Sequence, residues 1–172
     1  KLLSQTIRNL KNNKFPLYLP VFDKVADNKK KYQRKVNKVD LIILEGWCVG
    51  SKPIDPNYLK KNINDLEKIE DSNLLWRTAY NKALVEYQKV FKKFSYFIFI
   101  KIPNWKFVID WKYKQELGLR SSNSNNHLKK KLYRFIQFYE KLSKWMYLTS
   151  PSDCNVLITL DKKQTAKKIT YK

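Results

Sequence analysis

Val39-Asp40-Leu41-Ile42-Ile43-Leu44-Glu45-Gly46-Trp47 is an apolar run that ends on an acid, a glycine and a tryptophan. Continuous aliphatic runs bounded by polar turns suit the central strands of a parallel sheet, whose two faces are both covered. Such sheets bind ligands beyond the carboxyl ends of their strands, which is where Glu45 falls. The stretch therefore predicts a buried strand that delivers an acid to a site. The usual phosphate cradle of such a sheet, a Gly-x-x-x-x-Gly-Lys-Ser/Thr loop, occurs nowhere in the 172 residues. The sequence reads as half of a nucleotide site.

Working outward, Leu2, Leu3, Ile7 and Leu10 recur at helical spacing and open the chain on a short amphipathic helix. Phe15 to Phe22 has prolines near both ends and β-forming residues between, and leads to Asp23-Lys24 and a Lys/Asn-rich loop. Beyond Trp47, a loop with Gly50, Pro53 and Pro56 feeds one helical stretch carrying Leu59, Ile63, Leu66 and Ile69. A second, from about Asn73, carries Leu74, Leu75, Ala79, Ala83, Leu84, Tyr87 and Phe91. At Tyr96-Phe97-Ile98-Phe99-Ile100-Lys101-Ile102 the period changes to that of a buried strand, stopped by Pro103. A helix capped by Asn104 runs to Gly118 or Leu119 and gives way to Ser121-Ser122-Asn123-Ser124-Asn125-Asn126, the composition of a mobile loop. A long helix from about Leu128 to Tyr147 turns Leu132, Phe135, Ile136, Tyr139, Leu142 and Trp145 or Met146 inward, and Asn155 to Leu160 forms a third buried strand closing on Asp161. Strands separated by helices predict an α/β sheet.

Composition narrows the class. Hydrophobic residues at 43% with 15% aromatics exclude a disordered chain, and no apolar run is long enough for a membrane-spanning helix. One soluble domain is expected. Lys1 to Arg8 lacks the apolar core of a secretion signal and only Cys48 and Cys154 could form a disulfide, so a reducing cytoplasm is the simplest compartment. Beginning without Met, the chain reads as cut from something longer. The formal charge of +21 suggests a polyanion partner, yet the excess is nearly all Lys, with Arg only at 8, 34, 77, 120 and 134. Such a balance, alongside many Asn and Ile, is read first as coding bias and second as a polyanion-binding face. Lys29-Lys30-Lys31 and Lys129-Lys130-Lys131 are read as solvated surface.

An ordered series of motifs carries a resemblance across the chain. Leu19-Pro20-Val21-Phe22-Asp23-Lys24 is followed by Asp40 to Gly50, then by Asn64-Asp65-Leu66-Glu67 through Asp71 and Trp76-Arg77. Pro103-Asn104-Trp105, Trp111-Lys112 with Gln115-Glu116 and Leu119-Arg120, Arg134-Phe135-Ile136 with Tyr139 to Leu142, and Leu160-Asp161 continue it. In this order the motifs resemble the glycerate kinase and uridine-kinase-like branch of the P-loop kinases. The resemblance implies an incomplete P-loop NTPase-type three-layer sandwich with a mainly parallel sheet, lacking the P-loop strand. Residues 1–172 would form one partial kinase-like domain, with a helical insert at 56–92 and a lid helix and mobile loop at 104–127. Family members place a Walker A loop, a strand ending in an acidic pair and a Gly-Thr-His-Asp-like segment before the point where this chain begins. The missing strand would lie between Asp40–Glu45 and Tyr96–Ile102.

The resemblance also assigns roles. Glu45 would hold Mg2+ through water or polarise the attacking hydroxyl, and Arg120 would contact phosphate. Asp23 and Lys24 would line the acceptor pocket, Asp23 on a hydroxyl and Lys24 on an anionic group, although as a dipeptide they are also ordinary turn chemistry. Trp47 would wall the same pocket or pack in the core. Lys112, Gln115, Glu116 and Arg120 would form the lid, where the family commonly has Arg at the place of Lys112. A lysine can neutralise phosphate without the bidentate geometry of arginine. Asp40 is read as structural, and Arg77 with Glu67, Glu70 and Asp71 as an internal ion-pair cluster. His127, Cys48 and Cys154 show no metal-ligand spacing.

The leading expectation is the carboxy-terminal part of a kinase that uses ATP and Mg2+ to phosphorylate a hydroxyl of a glycerate-like acceptor. Alone it would be inactive, needing a P-loop segment from the same polypeptide or a partner chain. The alternatives are a basic module binding RNA or another polyanion, and a non-catalytic interaction subunit on a kinase scaffold. No membrane association is expected.

Overall fold

The computed structural model describes residues 2–23, 26–120 and 126–172, except for the side chains at 119, 120, 126 and 127. The chain divides into two compact units, Lys1–Gly46 and Trp47–Lys172.

The first unit opens with helix α1 (Leu2–Lys11), whose Ile7 and Leu10 are buried. Strands β1 (Leu17–Asp23) and β2 (Asn28–Val36) then pair antiparallel. Leu17 faces Val36, Tyr18 faces Lys35, and Phe22 faces Lys29, with a register shift between Pro20 and Phe22. The polar stretch expected as a loop is thus a strand. Alternation along β1 leaves Tyr18, Pro20 and Phe22 exposed while Leu17, Leu19, Val21 and Asp23 are half-buried, so β1 has two distinct faces.

The stretch from Val39 to Glu45 corrects the first expectation. It belongs to no strand; Leu41 and Ile43 are 74% and 78% exposed, and the exposed Lys38 and Asp40 pair at 3.3 Å. Branched aliphatic side chains favour a pleated surface but cannot close a ladder alone, because each backbone group needs a neighbour.

The second unit begins at Trp47. Short helix α2 (Pro56–Lys60) is capped by Asp55, whose carboxylate accepts from the backbone N–H groups of Asn57 and Tyr58. A π-helical turn (Leu66–Glu70) and helix α3 (Leu75–Phe91) follow. Arg77, Leu84 and Val90 are the buried positions of α3, whereas Leu75 and Tyr87, expected inward, are exposed. Strand β3 (Ile98–Lys101) leads to helix α4 (Phe107–Arg120), preceded by a turn in which Asn104 accepts from the Lys106 N–H. Helix α5 (Asn126–Asp153) buries Leu132, Ile136, Leu142 and Met146 but leaves Phe135 44% exposed.

Strands β4 (Val156–Leu160) and β5 (Ala166–Tyr171) complete a small mixed sheet in the order β3-β4-β5. Only β3 and β4 are parallel, so the mainly parallel sheet expected is reduced here to one pair. β5 arises from a hairpin in which the Asp161 carboxylate accepts from the N–H groups of Lys163 and Thr165. One face of this sheet buries Phe99 beside Met146 and Cys154 of the α5 end. The opposite face carries Ile98 and Ile100, 52% and 54% exposed, and Ile169 and Tyr171 are also exposed. The outer edge of β3 has no ladder partner among the described residues. A second core joins Ile54, Leu59, Leu84 and Leu142.

Candidate functional site

The helical segment before α3 is fixed by a buried ion network. Arg77, Glu67 and Lys141 are each at most 1% exposed. Arg77 Nε lies 2.8 Å from Asp71 Oδ2, and its Nη1 lies 3.4 Å from Glu67 Oε2. Its remaining donors reach the carbonyls of Leu59, Glu67 and Asp71. Lys141, from α5, meets Glu67 Oε2 at 3.1 Å and donates to the carbonyls of Tyr58 and Lys61. Burial pushes the Asp71 carboxyl up, but hydrogen bonds from the Arg77 side chain and from the Trp76 and Arg77 N–H groups outweigh it and hold the carboxyl below its usual range. Burial drives Lys141 downward against the opposing pull of Glu67. The ion-pair cluster expected around Arg77 therefore forms, except that Glu70 turns outward to Arg134. Lys141 was missed; its signal is Gln137 and Lys141 at i,i+4 within the apolar stripe of α5.

Trp47 closes an aromatic cleft of about 480 Å³ with Trp76, Tyr80, Phe135, Phe138 and Tyr139. Its indole N–H donates to Ser143 Oγ at 2.7 Å and its ring meets Tyr139 edge-on with centroids 4.7 Å apart. The tryptophan is thus oriented by α5 and still 46% exposed. Tyr80 contributes a buried hydroxyl that has no partner among the described residues, and burial first, then the nearby Glu67 charge, pushes its pKa up.

The lid residues lie on α4. Lys112 Nζ sits 3.0 Å from both Glu116 Oε1 and Gln115 Oε1, and 5.9 Å from the Phe135 ring centre. A groove of about 430 Å³ between α4 and α5 is lined by Lys112, Glu116, Lys131, Arg134 and Phe135. Lys131, read from sequence as solvated surface, and Arg134, read only as part of a motif, both line it, and Arg134 is held by Glu70 at 2.5 Å. The backbone of Arg120 ends α4, while its side chain lies outside the described residues.

In the first unit, Asp23 ends β1, accepts from the Ala26 N–H and lies 3.7 Å from Lys30. Lys24, and the Ser121–Asn125 part of the expected mobile loop, fall outside the described residues. Glu45 is exposed. The structure therefore brings Lys112, Gln115 and Glu116 together and orients Trp47, all within the second unit. Cys48 and Cys154 are free thiols. Among the described residues no three His, Cys, Asp or Glu side chains cluster to hold a metal, and no helix is long and apolar enough to cross a membrane.

Comparison with solved structures adds the decisive observation. D-glycerate 3-kinase from Cryptococcus neoformans superposes on 99% of this chain with a TM-score of 0.72 at 18% identity. The fold matches part of a glycerate kinase. YGR205w protein superposes on 98% of the chain with a TM-score of 0.61 at 16% identity. In sequence, the chain is distantly homologous to the uncharacterized kinase mug58 of Schizosaccharomyces pombe, 28% identical over 100 residues, or 57% of the chain. The chain spans 35% of mug58, 66% of the Cryptococcus enzyme and 62% of YGR205w protein. No protein-family model matches.

Proposed function

We propose that this chain is the carboxy-terminal part of an ATP-dependent small-molecule kinase that phosphorylates a hydroxyl of a glycerate-like acceptor. The carrying observation is the superposition of nearly the whole chain on two thirds of D-glycerate 3-kinase. The relation to mug58, a kinase by name, supports the same class.

In this reading Glu45 polarises the acceptor hydroxyl and Asp23 and Lys24 bind the acceptor, while within the second unit the α4 lid meets the phosphates. The groove beside Lys112 suits that last role, since it is lined by Lys112, Lys131 and Arg134, of which Lys112 is paired with Glu116 and Arg134 with Glu70. Arg120 follows on the same helix. The residues present do not by themselves fit the cofactors. The sequence has no Gly-rich cradle for the β-phosphate, and no carboxylate cluster among the described residues could hold Mg2+. The chain is accordingly read as needing a P-loop-bearing segment, from its own polypeptide or a partner. The open edge of β3 and the exposed Ile98 and Ile100 offer that segment a strand to pair with and a face to cover. The site assignments are tested by Glu45→Gln and Lys112→Ala in the chain joined to a P-loop-bearing segment. Glu45→Gln is expected to remove transfer, and Lys112→Ala to raise the KM for ATP.

A further inference from the structure

We propose that the Tyr18/Phe22 face of the β1–β2 hairpin binds single-stranded nucleic acid, independently of any kinase activity. Four observations converge there. Tyr18 and Phe22 are 54% and 55% exposed. Each has a lysine as its direct cross-strand neighbour, Tyr18 facing Lys35 and Phe22 facing Lys29. Gln33, opposite Pro20, continues that face from Lys35, and Lys31 is exposed in the irregular stretch of β2 between the two registers. Lys29, Lys31 and Lys35 are all exposed and carry no ion pair among the described residues. The face therefore repeats a unit of one ring beside one ammonium.

That unit matches a single strand, in which unstacked bases offer their faces to aromatic rings while phosphates run alongside within reach of ammonium groups. A duplex hides its base faces and would leave both rings exposed to water. An anionic membrane would take up aliphatic side chains, and Leu17, Leu19 and Val21 lie on the other face of β1. Asp23 lies there too, paired with Lys30, so the one acid within the two strands is turned away from the proposed strand, while Asp27 lies in the turn that joins them. With this surface, part of the +21 charge becomes an organised feature and not only background.

The test uses the full chain, a fluorescent twelve-nucleotide oligouridylate, and anisotropy titrations over a range of salt. Tyr18→Leu/Phe22→Leu keeps charge and apolar bulk but removes both rings. It is expected to weaken binding at least about tenfold with the salt slope unchanged, since stacking is lost and phosphate contacts are kept. Lys29→Gln/Lys31→Gln/Lys35→Gln is expected to flatten the log-log salt slope by about 2, at about 0.7 per phosphate on a single strand. Lys163→Gln/Lys167→Gln/Lys168→Gln removes the same charge from exposed positions around β5 and should leave both quantities nearly unchanged. Circular dichroism of each variant checks the fold. The proposal is overturned by failure to bind at about 0.15 M salt, or by equal losses in the two lysine variants. Undiminished binding by the ring variant, or tighter binding to duplex or to phosphatidylserine vesicles, overturns it as well.

Discussion

Lys141 of α5 and Glu67 of the π-helical turn meet at 3.1 Å with neither side chain more than 1% exposed. The pair joins two segments more than seventy positions apart, and Arg77 shares the same Glu67 oxygen from α3. Buried charges persist only where partners replace water, and here each cation also reaches backbone carbonyls. The network thus fixes where the helical segment stands against α5, and with it the wall that carries Tyr80, Tyr139 and Trp47.

Removing one member should expose that dependence. Arg77→Leu leaves Asp71 without its cation and Glu67 with Lys141 alone, and a loss of about 3–5 kcal/mol in urea unfolding is expected. A loss below about 1 kcal/mol would show that the network does not hold the fold.

Acid should act through the same cluster. Asp71 has a folded-state pKa below its ordinary 3.8, so its stabilising contribution is fully present above that value and is lost as pH falls through the lowered one. Thermal melts of the native chain and of Asp71→Asn should differ at neutral pH and converge as the medium is acidified below about pH 4. A constant difference across that range would assign the effect to packing.

Gly50 has a φ of +80°, and a Cβ there would lie 2.5 Å from the Phe97 ring. Gly50→Ala combines a left-handed backbone with a steric clash and should destabilise by at least about 1–2 kcal/mol. Full stability in Gly50→Ala would mean that the Phe97 ring moves aside without loss.

Trp47 is oriented by a single hydroxyl. Ser143→Ala should cost about 0.5–1.5 kcal/mol, the net contribution of one such hydrogen bond, and should alter the near-ultraviolet circular dichroism of the indole. Spectra identical to the native chain would show that the edge-on contact with Tyr139 alone sets the ring.

Much of the scaffold was legible because its pattern is local. The apolar spacing of α5 marked Leu132, Ile136 and Leu142 before any contact was known, and the Ile/Phe alternation marked β3. The run to Glu45 misled for the opposite reason. Its side chains report a preference for a sheet, but the sheet must be supplied by other residues, and Leu41 and Ile43 remain exposed. β2 was hidden by its lysines, since a hairpin strand paired through its backbone needs no apolar face of its own. At the site, charge spacing along α4 revealed Lys112 with Gln115 and Glu116, whereas Ser143 under Trp47 depends on a pairing 96 positions long that no local pattern encodes.

The central claim is that the chain supplies one part of a kinase and not the phosphate cradle. It is tested most directly by phosphoryl transfer from γ-labelled ATP to D-glycerate, measured for this chain alone and for the chain joined to a P-loop-bearing segment. The expected result is no transfer by the chain alone, transfer by the joined protein, and loss of that transfer in Glu45→Gln. Robust transfer by the isolated chain, or a joined protein indifferent to Glu45→Gln, would contradict it.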